Sequence, residues 1–447
     1  MSIPFGFSPG ENSNNDLGKL FEQLSQMMNS GSGQSGPVNW QAVQQASAAV
    51  LNDSGDPEIS AEFEFEMEAA CDLAELWLNE ATALPSAGER PVALTRERWI
   101  ASTLVVWQSL VDPVAHGLGE AMSSIIPQDL TDVPMAIPPE LIDQLPPGFA
   151  EQFEQLIQSG ELGNLLGQVM DMTKSMGATL FGNQFGSGLG QMATKVFSAT
   201  DVGIPLSKSR NPSFIAANVE EFSEGLSLEL AETLLFLALR ELAHQRLFAA
   251  APWLESHIQT AMASYARNVR IDTSLIERAL EDIDPNDMDA VTSALAGDLF
   301  VNSRTPEQES ALAKLELLIA LIESWVVTVV TDAVGNRLPS GDALAETLRR
   351  RRAAGGPAEK FFEGLIGLEI RPRKIREAQL IWQSLTTKIG IAARDNIWSH
   401  PDLLPTSTDL EDIDSYIANQ SHDLMQDLQK LLEGADSSEE PDENSAD

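Results

Sequence analysis

The stretch L-R-E-L-A-H-Q-R-L-F, Leu239 to Phe248, decides how this sequence is read. Its surroundings are strongly helical, and residues four apart on a helix share a face, so positions 240 and 244 point the same way. With histidine at 240 the run would be H-E-x-x-H, in which two imidazoles approach one zinc ion and the glutamate is general base for its bound water. A third protein ligand comes from elsewhere, and the fourth position stays open. Here Glu241 and His244 keep the base and second-ligand positions, but Arg240 stands in place of the first ligand. A guanidinium stays protonated and has no lone pair for a cation. Glu-x-x-His alone is weak, because a lone histidine on an apolar helix is more often a core residue. It also matches half of a di-iron bundle site, yet no second Glu-x-x-His occurs in the chain.

The rest of the chain reads as mainly helical. Glu62 to Leu78 repeats apolar residues at helical spacing, Thr95 suits an N-cap, and Ser227 is expected to cap the motif helix, Leu228 to about Phe248. Pro252 and Pro306 suit first-turn positions, the latter behind a Thr305 cap, and Val334-Gly335-Asn336 suits a helix end. The glycine-rich, apolar stretch Leu162 to Phe197 fits close helix packing better than a mobile lid. Ile204 to Leu206 and Phe214 to Ala216 are candidate short strands. Residues 1–55 have a loosely attached composition, with an amphipathic segment at Gly18 to Met28 and a flexible run at Ser30 to Pro37. Pro-rich punctuation marks Ile126 to Pro147 as loops and short helices, and residues 433–447 form an acidic tail expected to be disordered. The expected body is residues 56–432.

Composition narrows the function classes. The 447 residues are 43% hydrophobic, ample for a core, and the formal charge of -39 would repel nucleic acid and anionic membranes. Cys71 is the only cysteine, so no internal disulfide forms. No basic start with an apolar run follows Met1, and the longest apolar segment, Ala311 to Val334, carries Lys314, Glu316, Glu323 and Asp332. These features predict a soluble cytoplasmic protein with a buried helix there, not a membrane span.

The run L-R-E-L-A-H-Q-R-L-F-A-A-A-P-W-L (239–254) resembles the actinobacterial zincin-like "putative hydrolase" or "zinc-dependent metalloprotease" family, whose relatives include proteins associated with deazaflavin-coenzyme biosynthesis. Four more segments agree: A-A-N-V-E-E-F-S-E-G-L (216–226), L-E-L-L-I-A-L-I-E-S-W-V (315–326), R-R-R-R-A-A-G-G-P-A-E-K-F-F (349–362) and W-S-H-P-D-L-L-P-T (398–406). The resemblance spans 216–406 and implies a zincin-like helical body with few short strands. It also implies Glu241 as base, His244 as second zinc ligand and Glu323 as third. Arg240 departs from the family's first ligand, and Ser324 from the glycine after the third.

Zinc held by His244 and Glu323 alone would be bound weakly or not at all. Arg240 can instead bridge the Glu323 carboxylate and fill the metal position with an ion pair. The sharper alternative is rescue by His257 or His400, with Asp402 placed either to orient the latter or to cap a turn; His116 and His422 have no such recommendation. Arg349 to Arg352 open a cluster holding nine of the 28 basic residues, read as internal charge balance or as a site for phosphate or an acidic partner. Trp253, Trp325, Trp382 and Trp398 are expected in the core. Two functions remain open. One is a catalytically impaired zincin-like protein that binds peptides or a protein partner; the other is a zinc-dependent hydrolase, a metallopeptidase, with a non-standard ligand set.

Overall fold

Helix follows helix along the chain in this computed structural model, which describes residues 36–123, 161–266, 305–356, 361 and 374–420. In order come α1 (Trp40–Ser54), α2 (Ala61–Ala81), β1 (Val92–Leu94), α3 (Arg96–Ser123), α4 (Glu161–Ala193) and β2 (Ser213–Ile215). Then follow α5 (Ala216–Leu226), α6 (Leu230–Ala250), α7 (Trp253–Ala266), α8 (Pro306–Val334), α9 (Gly341–Ala353), α10 (Ile375–Ile389) and α11 (Ile391–Asn396). The architecture is mainly α, as the periodicity predicts. The segments Gly18 to Met28, Ile126 to Pro147 and 433–447 lie outside the described residues.

Two helices make the centre. In α6 every residue from Thr233 to Phe248 is buried, so this helix has no solvent face. It packs on α2, α8, α5 and α9. Helix α8 is the one long and apolar enough, among the described residues, to cross a membrane by length and composition. It is instead packed between α7, α10, α6 and α2. The Thr305 cap and Pro306 start of α8 form a full capping box with Gln308, and Gly335 ends it at φ 48°. Trp382 of α10 donates its indole N–H to Leu321 O and to Ser324 Oγ, 3.1 and 3.0 Å. Ser324 thus has a packing role where the resembling family has glycine. Trp325, Trp382 and Trp398 are fully buried in the core; Trp253 is half-buried against it.

Three expectations about boundaries change. Ser227 does not cap the motif helix: it ends α5 in the left-handed region, φ 56°, and α6 starts at Leu230 after Glu229. Its N–H is used on Glu224 O and Ser223 O, closing the tight turn between the two helices. Ile204 to Leu206 is not a strand, whereas Ser213–Ile215 is, paired in parallel with Val92–Leu94. The third change concerns the expected loose segment 1–55. Within it, α1 is a packed helix with Ala42, Val43, Ser47 and Leu51 buried.

The glycines of α4 explain that packing. Gly182, Gly186 and Gly190 recur every four residues and form a face against α1. A Cβ on Gly186 would lie 2.3 Å from Val43 O, and one on Gly182 2.6 Å from Asn39 O. Close helix packing, not a lid, is what these residues do. Gly186→Val is therefore expected to push α1 off α4 and to lower stability by about 1–3 kcal/mol, read by urea denaturation; an unchanged midpoint would remove this account.

Candidate functional site

A helix buried on all sides must find a partner for every polar side chain it carries. Helix α6 buries Arg240, Glu241, His244, Gln245 and Arg246 in succession. Arg246 leaves toward α2, where it bonds Leu84 O at 3.1 Å and Asn79 Oδ1 at 2.8 Å and pairs with Glu75. The other four face the motif side.

Glu241, 1% exposed, accepts from the Thr200 hydroxyl, from Thr200 N at 3.3 Å and from Gln245 Nε2 at 2.8 Å. The would-be general base is thus engaged on both oxygens. The turn bearing Thr200 is fixed from below. Ser198 bridges Phe214 of β2, Ile215 N donates to Phe197 O at 2.9 Å, and Asn218 Nδ2 donates to Ala193 O at 2.8 Å.

Glu323 projects from α8 into the same space, and three side chains meet it. Arg240 Nη2 lies 3.1 Å from Oε2, and Arg352 of α9 contacts the same oxygen through Nη1. His244 Nε2 stands 3.4 Å from Oε1, while its Nδ1 faces Arg240 O at 2.9 Å. Neither His244 Nε2 nor Glu323 Oε1 has a hydrogen bond of normal geometry. The fourth side is closed by Gly203, held at φ +76°, where a Cβ would fall 2.7 Å from Oε1. Only glycine allows that approach. Burial by itself would raise the Glu323 carboxyl, but Arg352, then His244, then Arg240 outweigh it and hold it well below the usual carboxylate range. Arg240 is pulled down, first by burial and then by Arg352, against the opposing pull of Glu323 and Asp201.

Do these residues fit a zinc ion? Two donors ~2.0–2.2 Å from one tetrahedral ion sit roughly 3.4 Å apart, and His244 and Glu323 have that spacing. The rest of the set does not fit. The place of the first ligand is taken by the Arg240 guanidinium, and a second guanidinium, that of Arg352, is on the other carboxylate oxygen. Arg240 and Arg352 already neutralise Glu323, so a dication would have to enter against two guanidiniums at the carboxylate that should hold it. Among the described residues no group of three or more His, Cys, Asp or Glu is arranged to hold a metal. The donor set therefore does not match a catalytic zinc centre.

The remaining sequence candidates lie elsewhere. His257 is exposed, its Nδ1 facing Trp253 O and its ring against the Trp253 indole at 4.9 Å. His400 is 62% exposed, with Asp402 beside it at 3.5 Å as the sequence suggested. Neither is brought to His244 and Glu323. His422 falls outside the described residues. The basic run divides: Arg349 and Arg350 pair with Glu346 at the surface, while Arg351 and Arg352 turn inward. Thr200, Asp201 and Gly203 carry no motif, and in the sequence Arg352 stands out only as part of that run; helix phase and turn geometry select them.

A family model for zincin-like metallopeptidases matches residues 38–417. The match starts close to α1, well before the 216–406 stretch that carries the motif resemblance. The fold is also similar to a crystal structure from Chloroflexus aurantiacus described as a "putative hydrolase with a novel fold". That likeness has a TM-score of 0.54 and 17% identity, over 86% of this chain and 99% of the other. At such identity it concerns fold alone. No curated protein matches the chain significantly.

The ion-pair geometry sets a pH signature. Because the Glu323 carboxyl titrates lower folded than unfolded, its contribution is present above about pH 4.3 and is lost as pH falls through the folded value. Glu323→Gln leaves the buried Arg240 and the half-buried Arg352 short of a counter-charge. It is expected to cost on the order of 3–5 kcal/mol at neutral pH. The gap to the unaltered protein should narrow below about pH 4, measured by denaturant titration. A gap that widens in acid would contradict the assigned charges.

Proposed function

Since the chain belongs to the zincin-like metallopeptidase family, we propose that it is a cytoplasmic, catalytically impaired member that acts by binding a peptide or protein partner. The observation that carries this reading is the buried 3.1 Å contact between Arg240 and Glu323, where the family pattern has a metal ligand and its metal. Two features support it. Glu241 accepts on both carboxylate oxygens, from Thr200 and from Gln245, so both are committed to holding neighbouring protein groups. Glu241, His244 and Glu323 are each 1% exposed, so none of the three presents itself to a peptide at the surface.

Chemically, these residues hold charge in place. Glu323 fixes the relative position of α6, α8 and α9 through directional, charge-assisted bonds. Glu241 ties α6 to the Thr200 turn. What a zinc ion would supply in a relative, a rigid link between helices, is here supplied by guanidinium and carboxylate.

A second reading, a zinc-dependent hydrolase with Glu241 as base and a non-standard ligand set, is favoured by the ligand-like spacing of His244 and Glu323. Metal analysis separates the two. Protein purified without chelators is expected to carry well under one zinc per chain and to cleave no peptide in a mixed-sequence library when zinc is added. It should still bind members of that library without turnover. Stoichiometric zinc with cleavage lost in Glu241→Gln would establish the second reading. Under the first, Glu241→Gln shows up only as a stability loss of about 1–3 kcal/mol.

A further inference from the structure

Arg240 is the visible departure from the motif, but Arg352 takes the same oxygen of Glu323 from a different helix. It arrives on the last turn of α9, next to Arg351, whose guanidinium bonds Lys195 O and lies 4.1 Å over the Phe197 ring. Arg352 Nη2 also lies 3.5 Å from Asp201 O. The two arginines thus clamp the 195–203 turn against α8, while Gly203 closes over Oε1. The charge of Arg352 is the largest single influence that holds the Glu323 carboxyl down.

We infer that metal is excluded from this site twice, by Arg240 in the place of a ligand and by Arg352 as a positioning residue whose guanidinium holds the Glu323 carboxylate through Oε2 and sets a second positive charge beside the oxygen that faces His244. The inference rests on the metal-free reading above. Restoring an imidazole at position 240 would complete the H-E-x-x-H spacing, yet the carboxylate of Glu323 would remain held by Arg352. A cation would still sit against the incoming dication. Arg240→His alone therefore regains little affinity, and Arg352 must be neutralised as well. Its side chain is 22% exposed, against 10% for Arg240, so an uncharged replacement is tolerated better there.

The test uses the full chain as four proteins: unaltered, Arg240→His, Arg352→Met and the double variant. Zinc alone is titrated calorimetrically, and cobalt(II) serves as a visible-absorption reporter of tetrahedral coordination. Circular dichroism checks that each protein is folded. The double variant is expected to bind one zinc at least roughly 10–100-fold more tightly than Arg240→His. It alone should show the intense tetrahedral cobalt bands, and adding His244→Ala to it should abolish them. Equal affinities for Arg240→His and the double variant would overturn the role of Arg352. So would cobalt bands that survive His244→Ala. If the double variant does not fold, Arg240→His with Arg352→Gln is judged by the same comparison. Stoichiometric zinc in the unaltered protein would instead overturn the metal-free reading itself, a separate outcome.

Discussion

One carboxylate with two guanidiniums on the same oxygen holds the centre of this protein together. Glu323 cannot be solvated where it sits, and neither can Arg240; each is acceptable only because the other is there. That mutual requirement fixes α6 against α8. Through Arg352 it also fixes the end of α9 and, beneath it, the turn that carries Thr200, Asp201 and Gly203. The strand pair β1–β2 and the Asn218 amide hold that turn from the opposite side. The site is therefore a joint at which separate parts of the chain meet.

Such a joint suits the fold around it. A helix buried over its whole circumference, as α6 is, gains apolar burial on all sides but must also satisfy every polar group within itself. Arg246 solves this toward α2, and Arg240, Glu241 and His244 solve it toward α8, α9 and the Thr200 turn. A second buried pair repeats the solution farther along α8. Asp395 accepts from Arg394, Trp325, Thr82 and Ala83 N, which ties α11 to α8 and to the end of α2. Stability and specificity of packing come from the same bonds in both places.

Much of the fold was legible in the chain. Helical periodicity placed α2, the Thr95 cap marked the start of α3, the Thr305-Pro306 start and the Gly335 stop marked the ends of the apolar α8, and Trp325, Trp382 and Trp398 marked the core. These succeed because caps, proline and apolar spacing act within a few residues of themselves. What local sequence does not carry is contact between distant segments. Ser227 looked like a cap for α6 but closes α5, and α1 looked loosely attached although Gly182, Gly186 and Gly190 create its seat more than a hundred residues away. Composition near α1 contains no trace of that seat.

The candidate site divides along the same line. The sequence by itself determined that Arg240 cannot ligate a cation, that Glu241 and His244 share the motif helix with it, and that Glu323 lies on a helix too apolar to be exposed. Those follow from side-chain chemistry and from spacing along single helices. Tertiary structure alone decided that Arg352, one of four consecutive arginines, turns inward to the same carboxylate. It also decided that Thr200 engages Glu241 and that Gly203 closes the remaining side. Which residue fills a buried charge's last open direction depends on where other helices end in space, and no local pattern records that.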